Sequence, residues 1–197
     1  MDKYDVAFTK LRNVDKAYSS TKQFYERIAM YNSIQVVYSY NIPQNISNNL
    51  SDSVILRKSL YEAGIESPPY PNQAHHIVAV TAKEAKFSRD VLDCLNIDLN
   101  SATNGILLPS DTYAAYVVTE SRHSGGHLLS YYIDVNNEIR DTLIAINPAW
   151  ELESDEKLIS ILKSLPESQK EKIRFEICST IKDIKIELLE GEIKVQN

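Results

Sequence analysis

All four histidines of this chain sit in two tight pairs, His75-His76 and His123-His127. Imidazole is the commonest metal ligand and the commonest general base, so this clustering constrains the fold more than any other feature: the two segments must be brought together. The first pair lies in Ala74-His75-His76-Ile77-Val78-Ala79, which reads as a short apolar strand. The second lies in His123-Ser124-Gly125-Gly126-His127, whose i, i+4 spacing puts both rings on one face if the segment is helical. Neighbouring strand residues point to opposite faces, so His75 and His76 cannot both bind one metal without distortion. One must be the ligand and the other must do something else, a split that suits metal-assisted hydrolysis.

The rest of the chain reads as mostly helical. The first forty residues place Leu11, Val14, Tyr18, Tyr25 and Ile28 at helical spacing, and a polar linker follows from Asn41. A second helix is expected from Ser51 to Ala63, with Gly64 as its left-handed cap. Ser67-Pro68-Pro69-Tyr70-Pro71 is a stiff approach to a strand over Ala74–Val80. Thr81–Leu95 reads as a helix capped by Thr81 and Glu84. Asn104-Gly105 is a turn dipeptide before a second strand, Ile106-Leu107-Leu108. The stretch Tyr113–Val118 could be helix or strand. Leu128–Ile144 predicts a helix or two, carrying His127 near its start, and the tail predicts two amphipathic helices broken at Pro166.

Composition excludes several classes. With 197 residues the chain can bury a core. Cys94 and Cys178 have no CxxC partner, which argues against a disulfide framework. No apolar run is long enough to span a membrane, and no secretory signal is apparent. The net charge of −6 argues against tight, nonspecific DNA binding, though less against a nuclease that works through a metal and a few contacts. HxxxH without a glutamate after the first histidine does not fit the metalloprotease pattern.

Beyond the histidines, the ordered elements Leu56-Arg57-Lys58, Ala63-Gly64-Ile65, Arg89, Leu92, Ile97-Asp98-Leu99-Asn100, Asn104-Gly105-Ile106, Leu108-Pro109 and Tyr131 complete a pattern from about residue 55 to 145. Together with the two histidine pairs, it resembles the AHH nucleases of the HNH/endonuclease VII superfamily. The resemblance implies an α+β fold, a mainly helical chain around a small ββα-metal finger. It implies that His75, His123 and His127 bind a divalent cation (zinc, nickel, manganese or magnesium). His76 would be the general base and Asn104 the residue that holds it in orientation through the loop. Arg122 and Tyr131 are secondary candidates for a phosphate contact, weighed against an exposed arginine and a partly buried aromatic. The expected domains are a helical extension over 1–50, the nuclease domain over 51–148, and a helical extension over 149–197 that packs on the same core.

The function so implied is a metal-dependent endonuclease acting on DNA in preference to RNA, used as a bacterial toxin. Such an effector would be made in the cytoplasm without a Sec signal and delivered to the cytoplasm of a target cell. A cognate immunity protein would restrain it, and no membrane partner is expected. The alternative is a zinc-stabilised, non-catalytic partner-binding module derived from a nuclease.

Overall fold

The computed structural model describes residues 51–195, except 69, 111, 113, 114, 116, 117, 119, 120, 124 and 125. The helix expected over the first forty residues and the linker that follows it to residue 50 lie outside the described residues. The described elements are α1 (Asp52–Glu62), β1 (Asn72–His76), α2 (Lys86–Cys94), β2 (Gly105–Pro109), α3 (Leu129–Ile146), α4 (Asp155–Ser164) and α5 (Glu167–Glu190). Short 3-10 turns precede α2, β2 and α4. This is an α+β architecture with one small antiparallel hairpin, as expected of a ββα finger.

The hairpin positions everything else. β1 and β2 pair antiparallel, with His75 opposite Ile106 and His76 opposite Gly105. Side chains alternate between the two faces of a strand. Ala74 and Leu107 join Leu56, Leu60 and Ile65 in a small cluster under α1. Ile106 and Leu108 enter the large core built from α2, α3, α4 and α5. β2 is therefore buried at every position, which is why its sequence, Gly-Ile-Leu-Leu-Pro, does not alternate with polar residues. His75 shares the large-core face and His76 the α1 face.

β1 ends at His76 rather than running to Val80. Beyond it the main chain turns, and the Arg89 guanidinium donates to the carbonyls of Ala79, at 2.9 Å, and Ala82. The helix expected from Thr81 starts later, through a 3-10 turn over Lys83–Ala85, and no side chain caps that turn. Asn104-Gly105 is not a hairpin turn. Asn104 closes a 3-10 turn, and Gly105 has an extended backbone that opens β2. Glycine stands there because α1 leaves no room: a Cβ would meet Leu56 Cδ1 at 2.5 Å.

The tail follows its pattern. Ser154 caps α4, its Oγ accepting from Lys157 N at 3.3 Å. Pro166 separates α4 from α5, and Gly191 ends α5 with φ +72°. Gly64 plays the same part after α1, with φ +85°. Ile173, Ile177, Ile181, Ile184 and Leu188 are buried along α5, against Tyr131, Val135, Ile139 and Leu143 of α3 in the same core. Lys185 of α5 is also buried and donates to Ala102 O at 2.8 Å, so the tail is tied to the turn that precedes β2. In the ambiguous stretch, Thr112, Ala115 and Val118 are helical. None of the described helices is long and apolar enough to cross a membrane.

Gly105→Ala is expected to destabilise the fold by about 1–3 kcal/mol, the usual cost of overpacking a filled site. A thermal melt checks this; an unchanged Tm would mean that Leu56 can move aside.

Candidate metal centre

One strand and one connecting segment bring three imidazoles together. His75 comes from β1. His123 and His127 come from the segment before α3, which is not helical at 121–123 or 126–128. The expected helical placement of this pair is therefore replaced by another device. A helix there would carry the Gly125-Gly126 pair inside it, at about 1 kcal/mol for each glycine. Instead, backbone hydrogen bonds strap the segment down. His123 N donates to Pro109 O at 2.8 Å, at the end of β2, and Ser121 N donates to Leu188 O at 2.9 Å. Leu128 N donates to Val195 O at 2.9 Å.

The result is a cage. The ring centroids of His75 and His123 are 4.7 Å apart, those of His75 and His127 4.9 Å, and those of His123 and His127 5.1 Å. One ring nitrogen from each lies within 4.8 Å of the others. Buried polar atoms are normally hydrogen-bonded. Here Nδ1 of His75, Nδ1 of His123 and both ring nitrogens of His127 are buried with no hydrogen-bond partner among the described residues. Lone pairs left unmatched on three converging imidazoles fit a cation, because neutral imidazole nitrogen is a good ligand for one.

Electrostatics agree with that fit. Burial holds His75 well below the ordinary imidazole value, helped by the charges its neighbours His123, His127 and His76 would carry. His123 is lowered from 6.5 to about 4 by burial, then by His127 and His76. His127 is lowered for the same two kinds of reason, burial first and then His76. All three rings are thus neutral near pH 7, the state in which a ring nitrogen can donate its pair.

Tyr131 sets the tautomer of His75. It is fully buried on α3, and its hydroxyl donates to Ile77 O at 2.9 Å. The same oxygen lies 2.8 Å from His75 Nε2. Its one proton is used on Ile77, so it accepts from His75 Nε2–H. The lone pair of His75 is then on Nδ1, the orphaned atom. Burial raises the Tyr131 hydroxyl well above its ordinary value, so it keeps the proton it donates. The side chain considered for a phosphate contact is therefore turned inward, onto the cage. Arg122, the other such candidate, is half-buried, and its Nη1 donates to Thr112 Oγ1 at 2.9 Å.

His76 stands beside the cage. Its Nε2 is 2.8 Å from Asn100 Oδ1. Burial lowers its proton affinity, while Asn100, Asp52 and Asp98 act in the opposite direction. The Asn104 side chain is not hydrogen-bonded to His76. It is fully buried, its Oδ1 accepting from Val78 N at 2.7 Å and its Nδ2 donating to Val78 O at 3.0 Å and Leu99 O at 2.9 Å. It grips the chain two residues after His76 and one residue before Asn100. Sequence reading included Asn100 in the family pattern but gave it no role at the site. The signal available was the question of which nearby side chain could accept a proton from His76.

The model of a family described as a nuclease family of the HNH/ENDO VII superfamily with conserved AHH matches residues 56–163. The chain belongs to that family. No curated protein and no solved structure matches the chain. The AHH family match runs from within α1 to near the end of α4, and so includes all four histidines, Asn100, Asn104 and Tyr131. AHH membership brings with it a nucleic acid as the class of substrate. The name-giving motif is Ala74-His75-His76 on β1.

The metal-free AHH protein is expected to lose stability in acid. His123 binds a proton more weakly folded than unfolded, so the unfolded state takes up more protons and stability falls as pH falls. The window runs from 6.5 down to about 4. Melts in chelator should show Tm falling across that window, and His123→Gln should flatten the fall. A wild-type Tm that does not change there would contradict a buried neutral His123.

Proposed function

We propose that this AHH nuclease is a metal-dependent endonuclease that hydrolyses phosphodiester bonds in DNA in preference to RNA. The observation that carries this reading is the convergence of three imidazole nitrogens within 4.8 Å, beside a fourth histidine bonded elsewhere. His75, His123 and His127 would hold one divalent cation. Three imidazoles suit zinc or nickel better than magnesium, with manganese between them. A cation held there supplies the charge that polarises a phosphoryl oxygen and stabilises the leaving one.

The chain's own residues do the rest. His76 accepts a proton from the attacking water. Asn104 ties the chain just after His76 to the chain just before its partner Asn100. Tyr131 keeps Nδ1 of His75 free by accepting the Nε2 proton. Arg122, next to His123 in the chain, is the candidate for a phosphate contact.

We extend the reading to a bacterial toxin effector, on the resemblance of the motif pattern to toxin nucleases. It would act in the cytoplasm of a target cell. An immunity protein whose surface complements and covers the cage would protect the producer.

The test is cleavage of plasmid DNA and of RNA with each metal, with and without chelator. His76→Ala is expected to lose about 10²–10⁴-fold in rate while still binding metal, the usual worth of a general base. Full activity of that variant would remove His76 from its role. A chain that loses Tm on chelation but cleaves nothing with any metal would be a zinc-held binding module instead. Tyr131→Phe is expected to weaken metal binding about 10–100-fold, as is usual when a ligand's outer hydrogen bond is removed. Titration with zinc followed by calorimetry checks it, and unchanged affinity would sink that role.

A further inference from the structure

We propose that Asn100 is a positioning residue for His76, its side-chain oxygen selecting the tautomer that leaves Nδ1 of His76 unprotonated and ready to take a proton from water. The inference rests on the reading of His76 as the base.

The geometry fixes each assignment in turn. A carboxylate only accepts. Asp52, the first residue of α1, has its Oδ1 3.5 Å from Asn100 Nδ2. The amide –NH2 of Asn100 therefore faces Asp52, and its oxygen faces the other way, 2.8 Å from His76 Nε2. An amide oxygen also only accepts, so His76 Nε2 must carry the proton. In neutral imidazole the other nitrogen, Nδ1, then holds the lone pair.

Asn100 is itself held at both ends. Its backbone N donates to Asp98 Oδ1 at 2.8 Å. The carbonyl of the preceding Leu99 accepts from Asn104 Nδ2 at 2.9 Å. Register supports the same arrangement. His76 shares the α1 face of the hairpin with Gly105, so its ring is turned toward the start of α1, where Asp52 lies, rather than toward the large core. The two adjacent histidines are thus set by different acceptors: His75 by a tyrosine hydroxyl inside the core and His76 by a carboxamide at its edge.

The experiment has two arms, both on the full chain. The first is nitrogen-15 NMR of the imidazole rings in the metal-free protein, where the shifts tell the tautomers apart. Wild type is expected to show His76 protonated at Nε2. Asn100→Ala should give a mixture, and Asn100→Asp, which keeps an acceptor oxygen, should restore the Nε2–H form. The second arm is steady-state cleavage. Asn100→Ala is expected to lower kcat about 10–100-fold, within what a positioned base contributes, with KM and zinc affinity unchanged. Asn100→Asp should recover part of that loss.

A wild-type His76 protonated at Nδ1 overturns the proposal. So does an Asn100→Ala kcat equal to wild type while His76→Ala is inactive; that result leaves His76 as the base and removes only Asn100. If His76→Ala itself cleaves normally, the base reading fails and the proposal with it. An Asn100→Ala variant that loses Tm but keeps its kcat and its Nε2–H tautomer would show a merely structural residue.

Discussion

The buried side chain of Asn104 is the constraint on which the centre depends. One carboxamide makes three hydrogen bonds, to both backbone groups of Val78 and to the carbonyl of Leu99. The chain leaves β1 at His76, travels through α2, and returns to open β2 at Gly105. That excursion would be a long, loosely closed loop if its two ends were not joined. Ile77 N also donates to Asn104 O at 2.9 Å, so backbone and side chain of one residue close it together. An amide with all its polar atoms matched inside a low-dielectric interior is strongly directional, and losing any partner would leave a buried group unpaired. His76 and Asn100 lie on either side of this closure.

The cage illustrates how a fold can keep imidazoles neutral with their lone pairs free. Burial disfavours imidazolium at all three rings, and the neighbouring imidazoles, His76 among them, disfavour it further. The orphaned nitrogens and the inward Tyr131 hydroxyl are two sides of one arrangement: every proton on the His75 side has an acceptor, while the lone pairs converge. No carboxylate belongs to the three-residue group. A cation seated there would keep its full formal charge, which favours the approach of a phosphate despite the overall charge of −6.

Much of this was legible in the sequence, and the illegible parts share a cause. The alternation rule separated His75 from His76, and the register against Ile106 and Gly105 places them on the two faces accordingly. Gly64, Pro166 and Gly191 punctuate the helices where their chemistry requires. What local patterns could not reveal was set by distant residues. Gly105 looked like half of a turn dipeptide, yet it is small because Leu56 packs on it from α1. The His123-His127 spacing suggested a helix, but Pro109 and Val195 take the backbone bonds a helix would have kept. Asn100 reaches His76 across twenty-four positions, a pairing to which no periodicity points.

The strap from Leu128 to Val195 has a bearing on how the cage is assembled. The three rings are drawn from residues 75 to 127, but the main-chain bond beside His127 waits for residue 195. During synthesis, domains gain structure from the N-terminal side as the polypeptide emerges. A ribosome-bound intermediate holding the hairpin and all four histidines would still lack α5 and the segment that pins this loop. The bond beside His127 therefore cannot form until translation has passed α5, and before then the three rings lack that grip.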